Sequence, residues 1–175
     1  RGDPGSPGSE MSPGFLTVAT YGDPPTVIPR PDGRTSGRRL ALAEWIASRD
    51  NPLPARVIGN RIWHHHFGRG IVDTPNNFGR NGGRPSHPEL LDWLARRFVE
   101  SGWRLKSLHQ LILHSSAYRQ ASRSPRAALA LERDPENRLL WRFRGRRLSG
   151  EEIRDTMLEA AGALNRQRGG PSVIV

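Results

Sequence analysis

The stretch "PELLDWLARRFVES", Pro88 to Ser101, decides the fold. Leu90, Leu91, Leu94 and Phe98 recur at three- and four-residue intervals, the spacing that gathers side chains on one face of an α-helix. Ser86 and Glu89 have the S-x-x-E spacing of a capping box, Pro88 suits a first turn, and Gly102 suits an end. "WRLKSLHQLILHSSAYRQ", Trp103 to Gln120, follows as another helix, with Leu105, Leu108, Leu111, Ile112 and Ser115 inward. Upstream, Leu53 to Phe67 has Pro54 near its start and apolar faces from Val57, Ile58, Ile62, Trp63 and Phe67. Gly68 suits its terminus. Before it, "TSGRRLALAEWIASRDNP", 35–52, places Leu42, Trp45, Ile46 and Arg49 at helical spacing. Thr35 or Ser36 is the expected cap, and Asn51-Pro52 the stop.

Outside these helices the chain is loop-rich, with 19 Gly and 15 Pro in 175 residues. Residues 1–37 form a Gly/Pro-rich segment that holds at most one short strand, near Phe15–Ala19. The "RGD" at 1–3 is too short a match to carry an adhesion reading. Asp73 to Glu89 is a long polar loop, a kind that is often functional. "PRAALALERDP", 125–135, suggests a short helix, and "NRLLWRFRGRRLS", 137–149, an extended or irregular path. Ser149 and Glu152 repeat the capping-box spacing before a last helix, Glu151 to Leu164, with Ile153, Met157, Ala160, Ala161 and Leu164 as its stripe. The fold class is therefore mainly α: an irregular helical domain with at least four helices and long ordered loops, over residues 38–175. The five Trp sit near helix ends or on apolar faces, so packing is their expected role.

The formal charge is +10, and a single lysine, Lys106, leaves arginine as nearly all of the basic residues. Arginine pairs in bidentate fashion with carboxylates and phosphates, so an anionic ligand or polymer is a natural partner. The arginines are spread along the chain rather than gathered in a stripe, as a GC-rich coding bias also gives. There is no cysteine, which excludes disulfides, thiol catalysis and Cys-ligated metal in these residues. No apolar run approaches the ~20 residues of a membrane span, and no signal peptide is visible. The chain starts on Arg1 and ends on an uncapped apolar tail, so both ends are expected to be cuts through a longer polypeptide.

"NRIWHHHFGRGIV", Asn60 to Val72, invites a metal reading. Consecutive helical side chains diverge by about 100°, so His64, His65 and His66 cannot converge on one ion. His109 and His114 are five apart and off-face. A metal would need His65 or His66 together with His87 and Asp73 or Asp92. Packing or hydrogen bonding is the expected role of these imidazoles, and no metal is expected. Ser86–His87 and His114–Ser115 are sequence neighbours whose side chains are expected to diverge, and no G-x-S-x-G, P-loop or G-x-G-x-x-G appears. Glu151, Glu152 and Asp155 read as helix-start charges and arginine partners. The helices at 87–101 and 105–118 superficially resemble a helix-turn-helix, but the densest Arg run, "RFRGRR" at 142–147, lies elsewhere, so nucleic acid is a lesser alternative. If a ligand site exists, it lies between the 53–67 helix and the 73–89 loop. The candidates are Asn60, Arg61, His65, His66, Asn77, Arg80, Arg84 and His87, with Arg154 as a further anion-binding arginine. Asn60 and Arg61 are expected to hydrogen-bond the loop.

Residues 39–122, with "RGDPGSPGSEMSPGFL" upstream, "DPENRLLWRFRGRRLSGEEIRD" at 134–155 and "GGPSV" at 169–173, carry a resemblance. The chain resembles the planctomycete PSD1 domain, domain of unknown function 1553. The resemblance implies the C-terminal part of a large, exported, extracytoplasmic protein with a cytochrome-c domain elsewhere. Haem c would reside in that separate domain, because this chain lacks C-x-x-C-H. It implies no established activity. The expected function is a non-catalytic scaffold or interaction domain partnered by other domains of the same polypeptide. The alternative is a hydrolase or metal-dependent enzyme acting on an acidic polymer. Gly59 and His64 depart from the family pattern, whereas His65 and His66 fit it.

Overall fold

The computed structural model describes residues 5–6, 8–9, 13–20, 35–125, 127–167 and 169. The "RGD" at 1–3 and most of "GGPSV" lie outside them. The described residues form seven helices and no strand, a mainly α fold: α1 Arg38–Ile46, α2 Pro52–Phe67, α3 Pro88–Glu100, α4 Leu105–Leu113, α5 Ser116–Arg119, α6 Ala127–Arg133 and α7 Gly150–Ala160. None of these helices is long and apolar enough to cross a membrane. The chain divides into two units, Arg1–Arg144 and Gly145–Val175.

In the first unit, α2 packs on α3 and α4. The core takes Ile62, Trp63 and Phe67 from α2, Leu91, Leu94 and Phe98 from α3, and Leu108 and Ile112 from α4. Burying each such side chain contributes roughly 1.5–3 kcal/mol against the entropy of ordering it. Trp63 and Phe67, one turn apart, stack at 4.1 Å. Asn51 joins α1 to α2: its carbonyl oxygen accepts from Leu53 N–H (3.2 Å), and its amide donates to Trp45 C=O (3.4 Å). Pro52 fills the first turn, and Gly68 closes α2 with φ 75°, a conformation that favours glycine. Gly102, with φ 73°, does the same after α3.

Several local expectations are corrected. Thr17–Ala19 is a 3-10 turn, not a strand; a lone strand would leave its backbone groups unpaired. Phe15 stacks on Trp45 at 5.0 Å, and Thr20 Oγ1 accepts the Trp45 indole N–H at 3.1 Å. Gly37, not Thr35 or Ser36, is the N-cap of α1, and Thr35 Oγ1 accepts the Gly37 N–H. The capping box expected from Ser86 and Glu89 does not form. His87 is the N-cap of α3 because Pro88 occupies the first helical position, so Ser86 stands one residue too early. The expected 103–120 helix breaks at Ser115, whose hydroxyl donates to Ile112 C=O (2.6 Å) and accepts from Tyr118 N–H (3.2 Å). Ser115 is therefore a cap, and Leu105 is exposed.

In the second unit, α7 ends at Ala160, short of Leu164. Its Ser149–Glu152 capping box is complete. The Arg146 guanidinium, then the Ser149 N–H, hold the Glu152 carboxyl down to about 2. The expected stripe is not a core: α7 contains no buried residue.

Candidate functional site

The 68–87 segment has no regular structure, yet α2 pins it closely. Asn60 is fully buried. Its amide donates to Val72 C=O at 3.0 Å, and its carbonyl oxygen accepts Val72 N–H at 2.8 Å. A side chain therefore pairs with loop backbone as a strand would, satisfying two buried groups at once. Gly70 passes so close that a Cβ there would overlap Val72 C=O and the Asn60 amide. Arg61 donates to Asn76 Oδ1 at 2.8 Å. Ser86 N–H bonds Ile71 C=O at 2.9 Å and closes the neck of the loop. Inside it, Thr74 Oγ1 donates to Asn77 C=O and accepts Gly83 N–H, both at 2.8 Å. The loop is thus a packed Ω-type loop whose ends meet.

A second irregular segment follows α6. The Asp134 carboxylate accepts Arg138 N–H (2.8 Å) and Leu139 N–H (2.7 Å), and its backbone C=O accepts the Trp141 indole N–H (2.9 Å). Asn137 and Leu140 adopt left-handed φ of 55° and 59°. Arg69 bridges the two segments, reaching Asp73 at 3.1 Å and Glu136 at 3.2 Å. The Glu136 hydrogen bond, with Asp73 adding to it, raises the Arg69 pKa above its ordinary value. Between the segments lies a small cleft, with about 30 Å³ of space that a water-sized molecule can reach behind a wider open mouth. Trp63, Phe67 and Ile71 form its apolar wall, and Arg69, Arg138, Arg144, Asp73, Ser86 and His87 its polar lining.

The structure distributes the expected site residues unevenly. His87 lines the cleft. Ser86 Oγ lies 2.9 Å from His87 Nδ1 and 3.3 Å from Ile71 C=O. The expected divergence of these neighbours is corrected: with His87 at φ −138° and ψ 80°, ahead of Pro88, the two side chains meet. Asn60 and Arg61 do bond the loop. Asn77 accepts Gly79 N–H at 3.0 Å and shapes a turn. Arg80, Arg84 and His65 are exposed. Arg154, in the second unit, pairs with Asp155 at 3.3 Å. His66 faces α4 and α5, not the loop: its Nε2 lies 2.8 Å from His109 Nδ1, and its ring meets Tyr118 edge-on. Burial, then the His109 and His65 charges, lower its pKa. Among the described residues no three His, Asp or Glu side chains converge as a metal ion would need.

Sequence reasoning missed Arg69, Arg138 and Arg144. Two of them flank or enter the dense "RFRGRR" run, but nothing in the spacing brings Arg138 and Arg144 beside the loop. It also missed the His66–His109 pair, because histidine spacing shows partners within a helix and not across two.

No curated protein and no solved structure matches the chain. The family model described as "Protein of unknown function (DUF1553)", PSD1, matches residues 38–175, well over half of the sequence. The chain belongs to the PSD1 family of DUF1553 proteins.

Proposed function

We propose that this is a non-catalytic interaction domain, docking other parts of a larger exported, cytochrome-c-linked polypeptide. The observation that carries it is α1. This helix buries none of its residues, and Leu40, Leu42 and Ile46 are 54%, 46% and 46% exposed. Exposed apolar groups clustered on one short element mark a contact surface more often than chance. Ordered loops and a packed α2–α3–α4 core supply a rigid platform for such a contact.

The test is calorimetric titration of this chain with the separately produced remainder of its parent polypeptide. The expected outcome is binding that Leu42→Asp with Ile46→Asp weakens at least tenfold, with unchanged circular dichroism. No binding by the unaltered chain overturns the reading. The hydrolase alternative keeps one observation in its favour, the Ser86–His87 hydrogen bond in the cleft. Turnover of an acidic polymer that His87→Ala abolishes would replace the docking reading with it.

A further inference from the structure

We propose that the Arg69–Arg138–Arg144 cleft binds an oxyanion, a phosphate or sulfate group, independently of whether α1 docks a partner. The lining carries three guanidiniums against one carboxylate, Asp73. Arg69 is committed, held between Asp73 and Glu136, and acts as a positioning residue. Arg138 and Arg144 differ: no ion pair among the described residues engages either guanidinium. Planar guanidiniums at one opening suit tetrahedral oxyanions, which accept two parallel N–H bonds from each.

Two further features favour the same ligand. The Ser86 hydroxyl and the His87 imidazole supply polar contacts on the lining. Both residues stand at the start of the 13-residue α3, whose first-turn N–H groups receive no hydrogen bond from the His87 side chain. The positive end of that helix dipole adds to the guanidinium field rather than making the site. The backbone that carries Arg138 is held by the Asp134 carboxylate and by two left-handed non-glycine residues, Asn137 and Leu140. A β-carbon-bearing residue held at positive φ is strained, and such strain concentrates where a loop presents groups to a ligand.

The experiment titrates the whole chain at low ionic strength with inorganic phosphate and, separately, inorganic sulfate, read by amide chemical-shift changes. The expected result is saturable binding of at least one of the two, with shifts centred on 69–73, 86–87 and 137–144. Arg138→Ala with Arg144→Ala should weaken it at least tenfold. The control removes the same charge elsewhere: Arg104→Ala with Lys106→Ala, both exposed and away from the cleft lining, should change affinity less than twofold. Thermal unfolding of both double variants confirms that they fold. If neither anion saturates, the site does not exist. Equal loss in the two double variants would reduce the effect to the net charge of the chain and overturn the proposal. Preference for one anion assigns the ester class and supports it.

Discussion

The 68–87 loop and helix α7 are opposites. The loop has no repeating hydrogen bonds, yet Gly70, Ile71 and Val72 within it are buried, Asn60 ties its backbone into the core, Arg61 holds it at the surface, and Ser86 closes its neck. Helix α7 has a complete capping box and ion pairs from Glu152 to Arg146 and Glu159 to Arg166, but no buried residue. Regular secondary structure is thus a poor measure of how firmly a segment is held. Exposed ion pairs are worth ~0–1 kcal/mol. Buried polar groups that would otherwise lose water without a replacement hold the chain far more tightly.

Removing the amide that pins the loop is the strongest way to break that contrast. Asn60→Ala strands Val72 N–H and C=O in the core, at roughly 1–3 kcal/mol each. Urea unfolding should show a loss of about 3 kcal/mol, and a loss below ~1 kcal/mol would mean that the loop does not depend on Asn60. Ser149→Ala probes the other side. Losing the cap should cost α7 about 1 kcal/mol, seen as faster amide exchange over 150–160, with the cooperative unfolding midpoint unmoved. A midpoint that falls with it would place α7 within the cooperatively folded core.

The smallest expected effect is a pH dependence. The folded state lowers the His66 pKa, so the unfolded chain binds protons more readily there. The contribution is complete above the unfolded-chain histidine value and is lost as pH falls from that value through the lower folded one. The melting temperature should decline on mild acidification. His109→Gln, which removes the second imidazole charge, should flatten that decline in part, burial being the larger cause; an unchanged slope would show that His109 does not contribute. The Glu152 carboxyl, held to about 2, keeps its full contribution at pH above the usual carboxylate range and loses it progressively as pH falls from that range through the low folded value. The α7 cap therefore stays charged while His66 titrates, and the two effects separate.

The helices were legible because their causes are local. Leu91, Leu94 and Phe98 share a face by spacing alone, and Gly68, Gly102 and the Ser149–Glu152 pair mark ends by backbone and capping chemistry. Ser86 and Glu89 show where local reading fails: the right spacing was overruled by Pro88 and by the claim of Ile71 C=O on the same serine. Of the candidate site, His87 was anticipated and its neighbour Ser86 was wrongly set apart from it. Arg69, Arg138 and Arg144 were not found, because they come together only when the post-α6 segment lies beside the loop.

By itself, then, the sequence determined the helical class, the helix positions and most of the core face, since periodicity and turn residues act within a few residues of one another. Only the tertiary structure decided that His66 meets His109, that Asn60 serves loop backbone, and that three distant arginines line one cleft. Those contacts span 12 to more than 70 positions, and they depend on how helices pack around buried volume, which no short window of residues encodes.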